Sequence, residues 1–369
     1  RVIDAPPPPE LRVEAVAYGS VAARVGRGTE RLGIEVDGRV TRTLDVPKGP
    51  RSVSIALPVG DRRIRVRAVG LGGRTWSRAV RTYVLPKSAR RAGRVPGFLD
   101  ARLQRDLGSI VARVPATTGV YAQHLVTGCG AAVNANAQFP AASTLKAAML
   151  VDAVRRGRAR ELRGDLDRMI SVSSDEAANR VIAALGGGSL EAGGASITDT
   201  LRDLGLERTL VRRGYILTDR RPIPIGATNA PALATNFITT PFELGRLKVA
   251  IHRGAIPRGG IGRLGIGRKE ARREVLGRLL RVLDRTKLAQ GVPSDVPLAH
   301  KSGFTRHVRH DAGLIYVKSG PIVAVGMSWN DSGVSHTAGT RFLSKVARSA
   351  VRRLEGGGAC SGIPLRAKR

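Results

Sequence analysis

The stretch "FPAASTLKAAML", residues 139–150, reads as an apolar helix with one lysine set into it. Lysine is scarce here, at ten of the chain's 62 basic residues. Ser143 stands three residues before Lys146, and residues three apart share a helical face. A serine hydroxyl is a weak nucleophile near neutral pH and needs a base within hydrogen-bond reach. Lysine can serve as that base only as the neutral amine, and burial among apolar residues lowers its pKa in that direction. Taken alone, Ser-x-x-Lys also fits an N-cap serine and a lysine reaching for solvent.

Two further stretches decide between these readings. "MISVSSDEAANRVIAALGG" lies some 30 residues downstream, and "LAHKSGF" (298–304) precedes two strand-like segments near the C-terminus. Together the three resemble the class A β-lactamases and penicillin-recognising serine hydrolases, whose motif set is Ser-x-x-Lys, Ser-Asp-Asn and Lys-Thr-Gly. The flanking "TTPFELGRL" and "HDAGLIYV" agree in order and context. The resemblance covers about residues 98–355.

The resemblance implies that Ser143 is the nucleophile and Lys146 its base. Spacing to the following "AAN" aligns Ser173 with the family's second serine, which relays a proton to the leaving group. The other register, with Ser174 as relay, deletes a residue and rotates the next helix by about 100°, so Ser173 is preferred. Ser173 with Glu176 also fits a capping box at a helix start. Asp175 then stands in the substrate site where the family has Asn. Lys301 and Ser302 correspond to the residues that bind a substrate carboxylate, with serine keeping the hydroxyl donor. Gly303 lets the substrate backbone approach the strand, and the N–H groups of Ser143 and Phe304 would form the oxyanion hole. No metal or organic cofactor is implied.

One departure bears on turnover. Family members that hydrolyse β-lactams carry a glutamate on an irregular loop, which activates the deacylating water. The corresponding stretch, residues 212–236, contains no glutamate, and its only acid is Asp219. Acylation without efficient deacylation is the expectation.

Outward from these motifs, short alternating segments punctuated by Gly and Pro fill residues 11–86, the pattern of a small all-β, immunoglobulin-like sandwich. A proline-rich spacer at 1–10 precedes it, and a basic linker at 87–97 follows. Leu99, Leu103, Leu107, Ile110, Val111 and Val114 then fall on one helical face. Strands at both ends of 98–369 with helices between them make an α+β domain. The expected architecture is therefore a β-lactamase-like domain, an antiparallel sheet flanked by helices plus an all-helical lobe, behind the sandwich.

The net charge of +33 raises nucleic acid as a partner. Arginines spread along the whole chain and only 4% aromatics argue against it. A basic surface that attracts anionic cell-wall polymer, or steers an anionic substrate, is the preferred reading. The main partner is a small-molecule or peptide substrate with a carboxylate. No run of about 18 apolar residues suggests a membrane span. A start at Arg1 followed by "APPPPE" suggests a processed protein, secreted or wall-associated.

Cys129 falls in a hairpin expected near the C-terminal helix and Cys360 just after that helix, so one disulfide is expected, with two free thiols as the alternative. His300, His307 and His310 with Asp311 could be drawn as metal ligands, but polar surface or supporting hydrogen bonds is the preferred reading. "GIGRLG" (260–265) has the dinucleotide spacing without a preceding strand, and reads as a connection.

Overall fold

The computed structural model describes residues 10–12, 14–25, 28–46, 51–70, 75–91, 97–215, 235–256 and 259–365. The spacer at 1–10, except Glu10, and Asp219 lie outside them. The chain divides into two compact units between Lys87 and Ser88. Residues 88–91 of the expected linker thus belong to the second unit, where Ser88 Oγ donates to the Val317 carbonyl at 3.2 Å.

The first unit holds β1 (Glu10–Arg12), β2 (Val16–Tyr18), β3 (Ser20–Val25), β4 (Thr29–Val36), β5 (Arg39–Asp45), β6 (Arg51–Ala56), β7 (Gly60–Gly70) and β8 (Thr75–Leu85). They form two sheets, ordered β1-β3-β6 and β2-β8-β7-β4-β5. Strand side chains alternate between faces. On β7 this buries Ile64, Val66 and Ala68 and exposes Arg63, Arg65 and Arg67. Val21, Ala23, Val25 and Ile55 from one sheet meet Leu32, Ile34, Ile64, Val66 and Val84 from the other in a single core. The β4–β5 connection is Asp37-Gly38, both at positive φ (53° and 83°), as a two-residue type I′ hairpin requires.

The second unit continues with β9 (Phe98–Leu99), α1 (Ala101–Ala112), β10 (Thr117–His124), β11 (Cys129–Val133) and β12 (Phe139–Pro140). A helical region follows: α2 (Lys146–Arg155), α3 (Arg163–Ser171), α4 (Asp175–Leu185) and α5 (Leu190–Asp203). After β13 (Leu210–Val211) and β14 (Phe237–Thr239) come α6 (Pro241–Ala255), α7 (Arg268–Glu270) and α8 (Gly277–Leu279), the last two joined by a π-helical segment at 271–276. β15 (Leu298–Phe304), β16 (Val308–Val317), β17 (Gly320–Trp329) and α9 (His336–Leu354) close the unit. Its main sheet runs β15-β16-β17-β10-β11-β9, antiparallel except where β9 joins β11. Helices α1 and α9 supply Leu103, Leu107, Phe342, Leu343 and Val346 to the core on one face. Each buried Leu there contributes about 2 kcal/mol before entropy is counted. α6 packs on the other face, its Phe242 ring edge-on to Tyr121 of β10 at 5.4 Å. "LAHKSGF" and the two strand-like segments after it form β15, β16 and β17 as read, and Cys129 lies in the β10–β11 hairpin.

Cys129 of β11 is bonded to Cys360 beyond α9, with Cα atoms 5.2 Å apart. The bridge spans 231 residues, which removes about 5 kcal/mol of loop entropy from the unfolded chain in the chain-entropy picture.

The buried side of α6 carries Glu243, Lys248 and His252 among its apolar residues. Lys248 is wholly buried and its Nζ has no hydrogen-bond partner among the described residues. Burial brings its pKa down from 10.5 to about 7. Between these values the unfolded chain holds a proton that the folded chain sheds, so this group costs stability at neutral pH, and the cost fades toward pH 10.5. Lys248→Met, which keeps the volume, is expected to raise the melting temperature by several degrees at pH 7 and by much less at pH 10. Thermal unfolding at both pH values checks this, and a variant less stable than wild type at pH 7 contradicts it.

Candidate active site

The site forms where β15 meets the turn that leads into α2. Phe139 and Pro140 pair with Thr239 and Ile238 of β14, and the Ala141 N–H donates to the Phe237 carbonyl at 2.9 Å. His310 of β16 holds the same segment from the main sheet. Its Nε2 is 2.8 Å from the Pro140 carbonyl and its Nδ1 is 3.1 Å from the Ser328 N–H. The partners assign a neutral ring with the proton on Nε2, consistent with burial lowering its pKa to about 4. His310 is thus a clamp on the chain before Ser143.

Residues 142–145 form a 3-10 turn rather than part of the α-helix, with the Lys146 N–H donating to the Ser143 carbonyl. In such a turn residues i and i+3 nearly eclipse, which places Ser143 and Lys146 on one side. Ser143 is half-buried, while Lys146 is completely buried.

Lys146 Nζ donates to the Ser173 carbonyl and to Asp175 Oδ1, each at 2.5 Å, and lies 3.3 Å from Ser173 Oγ. Lys301 Nζ reaches the same Oγ at 2.9 Å and the Ser302 carbonyl at 2.9 Å. The Ser173 hydroxyl therefore bridges the Nζ atoms of two buried lysines. Burial pushes the Lys146 pKa down, while the Asp175 charge pulls it back up. Lys301 falls from 10.5 to about 7, through burial first and then repulsion from Lys146.

Ser173 gains this position from its backbone, which has φ 62° in the left-handed region. The capping box expected at Ser173 does not form, and the helix cap falls one residue later. Ser174 is the N-cap of α4, accepting from the Ala177 N–H at 3.1 Å and donating to Glu176 at 2.8 Å. The helix therefore starts at Asp175, and Ser173 is left free to face the lysines.

On β15, a Cβ built on Gly303 would lie 2.9 Å from the Ser143 nitrogen and 3.0 Å from that of Thr144. Only hydrogen fits between strand and turn, a tighter reason for glycine than substrate approach. The Phe304 ring is exposed at 61%. Ser302 Oγ donates to Asp284 Oδ2 at 2.6 Å.

The residue that the sequence reading missed is Tyr215. Its hydroxyl lies 3.2 Å from the Ala142 carbonyl and hydrogen bonds the Ser143 side chain. Lys146 Nζ sits over its ring at 4.6 Å, and Phe237 stacks on it at 4.3 Å. Asn179 of α4 fixes the backbone there, accepting from the Tyr215 N–H at 2.6 Å and donating to its carbonyl at 2.8 Å. A Cβ on Gly214 would be 2.5 Å from Asn179 Oδ1, so glycine is needed just before the tyrosine. Burial pushes the phenol pKa well above its ordinary value, and the Asp175 charge adds to the shift.

The remaining histidine candidates have ordinary partners. His300 Nδ1 pairs with Asp311 at 3.0 Å, and Asp311 also accepts from the Leu288 N–H at 3.2 Å. His307 Nδ1 lies 3.3 Å from the Asn330 carbonyl. No cluster of three or more His, Cys, Asp or Glu positioned to hold a metal occurs among the described residues.

The fold and the Ser-x-x-Lys turn beside a Lys-Ser-Gly strand define a β-lactamase-type serine hydrolase scaffold. The chain belongs to the beta-lactamase enzyme family, which matches residues 102–168 and 161–354. Among solved structures it is similar to PBP-A, at 24% identity over 71% of this chain and 99% of that one, with a TM-score of 0.56. A variant of the last common ancestor of Gram-negative class A β-lactamases shows 20% identity over 68% and 97% of the two chains, with a TM-score of 0.55. A β-lactamase from Desulfarculus baarsii shows 16% identity over 70% and 99%, with a TM-score of 0.55. No curated protein matches the chain.

Proposed function

We propose that the protein is a serine hydrolase that forms an acyl-enzyme at Ser143 with a β-lactam, a peptidoglycan peptide or a small ester, and releases it slowly. The observation that carries this reading is the Ser173 hydroxyl held between Lys146 and Lys301 beside the Ser143 turn. Ser143 Oγ attacks the substrate carbonyl while Lys146, as the neutral amine, takes its proton. The oxyanion is stabilised by the N–H groups of Ser143 and Phe304. Ser173 passes a proton to the departing nitrogen or oxygen and regains one from its lysine neighbours. The C–N or C–O bond breaks, leaving an ester on Ser143.

Deacylation needs a base for water. Among the described residues of the 212–236 stretch, the group beside Ser143 is the Tyr215 phenol, which holds its proton firmly and cannot serve as that base near neutral pH. This supports a long-lived acyl-enzyme. Hydrolysis of small esters by wild type and Ser143→Ala tests the reading, and activity that persists in Ser143→Ala contradicts it.

The Cys129–Cys360 bridge supports an oxidising, extracytoplasmic location, and no helix among the described residues is long and apolar enough to cross a membrane. The first unit is read as an immunoglobulin-like module. A second reading, a weakened hydrolase retained to bind anionic wall polymer, is favoured by the exposed Arg63, Arg65 and Arg67 on one face of β7. Wall binding that salt abolishes and Ser143→Ala leaves intact would support it.

A further inference from the structure

The Ser302 side chain sits in a hydrogen-bond cluster that neither the motif nor the proposed mechanism uses. Asp284 Oδ2 accepts from Ser302 Oγ at 2.6 Å and from Lys287 Nζ at 2.6 Å. Its Oδ1 accepts from the Thr286 N–H at 2.9 Å and from the Thr286 hydroxyl. With these donors around it the carboxyl is held far below its ordinary pKa, despite the opposing cost of burial.

An ionised carboxylate has no proton to give, and a serine hydroxyl has only one. The Ser302 proton is therefore committed to Asp284, and what Ser302 Oγ can still offer a substrate is lone pairs. Each neighbouring lysine already spends two of its three donors inside the cluster. Lys287, 3% exposed, donates to Asp284 and at 3.0 Å to Thr286 Oγ1. Lys301, 1% exposed, donates to Ser173 and to the Ser302 carbonyl. An anionic group arriving at Ser302 would meet an acceptor backed by a fixed negative charge.

We propose that Asp284, acting through Ser302, sets substrate choice at this site against a carboxylate beside the acyl group and in favour of an uncharged or hydrogen-bond-donating group. This rests on the acyl-enzyme reading above and reverses the carboxylate preference expected from the Lys-Ser-Gly stretch. Asp284 is a positioning residue, since it acts by directing the Ser302 proton.

Penicillin G and its methyl ester form a matched pair, the same β-lactam with and without the negative charge. The rate of adduct formation, followed by intact mass, is expected to be about tenfold higher for the ester with wild type, the size of one charged hydrogen bond gained or lost. In Asp284→Asn the amide can donate to Ser302 Oγ and free its proton, so the free acid should gain about tenfold relative to the ester. The double variant Asp284→Asn/Lys287→Met is measured alongside, because it leaves no buried ammonium without its counter-ion. A merely structural role for Asp284 would change both rates by the same factor.

Faster reaction of the free acid with wild type overturns the proposal whether or not the variants fold. An unchanged ratio between the two compounds in the variants also overturns it. If neither compound forms a Ser143 adduct while small esters do, the specificity claim fails and the acyl-enzyme reading survives. If no compound of any kind labels Ser143, both fail.

Discussion

Tyr215→Glu is expected to speed release of the acyl group from Ser143 by about a hundredfold at neutral pH, the low end of what a positioned general base supplies. The substitution puts a carboxylate where the phenol now hydrogen bonds Ser143 and lies under the Lys146 ammonium. The backbone at 215 is set by Asn179 and by the absence of a side chain at Gly214, not by the phenol. The glutamate therefore starts from a fixed position. Its cost is the lost stacking on Phe237, worth about 1 kcal/mol beyond area burial. Pre-steady-state hydrolysis of an activated ester separates acylation from release. A release rate unchanged in Tyr215→Glu, with acylation intact, would show that the missing base is not what limits turnover.

The second large effect concerns acylation. Asp175 Oδ1 holds Lys146 Nζ at 2.5 Å, and its charge favours the protonated lysine, which cannot act as a base. Burial works in the opposite direction and dominates the shift, so the two effects compete on one amine. Asp175→Asn removes the charge and keeps the shape. The sign follows directly. Without the counter-ion Lys146 binds its proton more weakly, the neutral amine appears at lower pH, and the rising limb of the acylation rate moves to lower pH. Acylation at pH 7 should be faster by about three- to tenfold, the size of one ion pair lost. Asp175 is half-exposed at its side chain, 45%, which places the effect at the lower end of that range. A limb that stays put, or moves to higher pH, would mean that Lys146 is not the base.

Ser143, Lys146 and Lys301 stand out in the sequence because three stretches together resemble a known motif set. Ser-x-x-Lys alone also fits a helix cap and a solvated lysine, so spacing by itself does not single them out. Helix phase favours Ser173 over Ser174, and it is the Ser173 hydroxyl that lies against Lys146 and Lys301. Phase alone does not show that Ser174 caps the helix, because the left-handed φ at Ser173 depends on packing rather than on residue type.

Tyr215 was missed for a different reason. The residue type expected in that stretch is a carboxylate, and the phenol is placed only through Asn179, 36 residues earlier. Asp284 likewise acts across 18 residues on Ser302, with no periodic signal to connect them. Lys248 did have one. It shares a helical face with Leu244, Ile251 and His252, all buried, so the spacing alone places it inward. The longer antiparallel strands of both units follow from alternation and turn chemistry, which act over a few residues, whereas β9 and the short β12-β14-β13 sheet carry no such pattern.

The central claim is that Ser143 carries the acyl group. The most direct measurement mixes the protein with p-nitrophenyl acetate, records the release of nitrophenolate, and maps the acetylated peptide by mass. The predicted result is a burst of about one equivalent followed by slow release, with the acetyl group on Ser143 and no burst from Ser143→Ala. Linear release without a burst and with no acetylated Ser143, or a burst that Ser143→Ala retains, would contradict it.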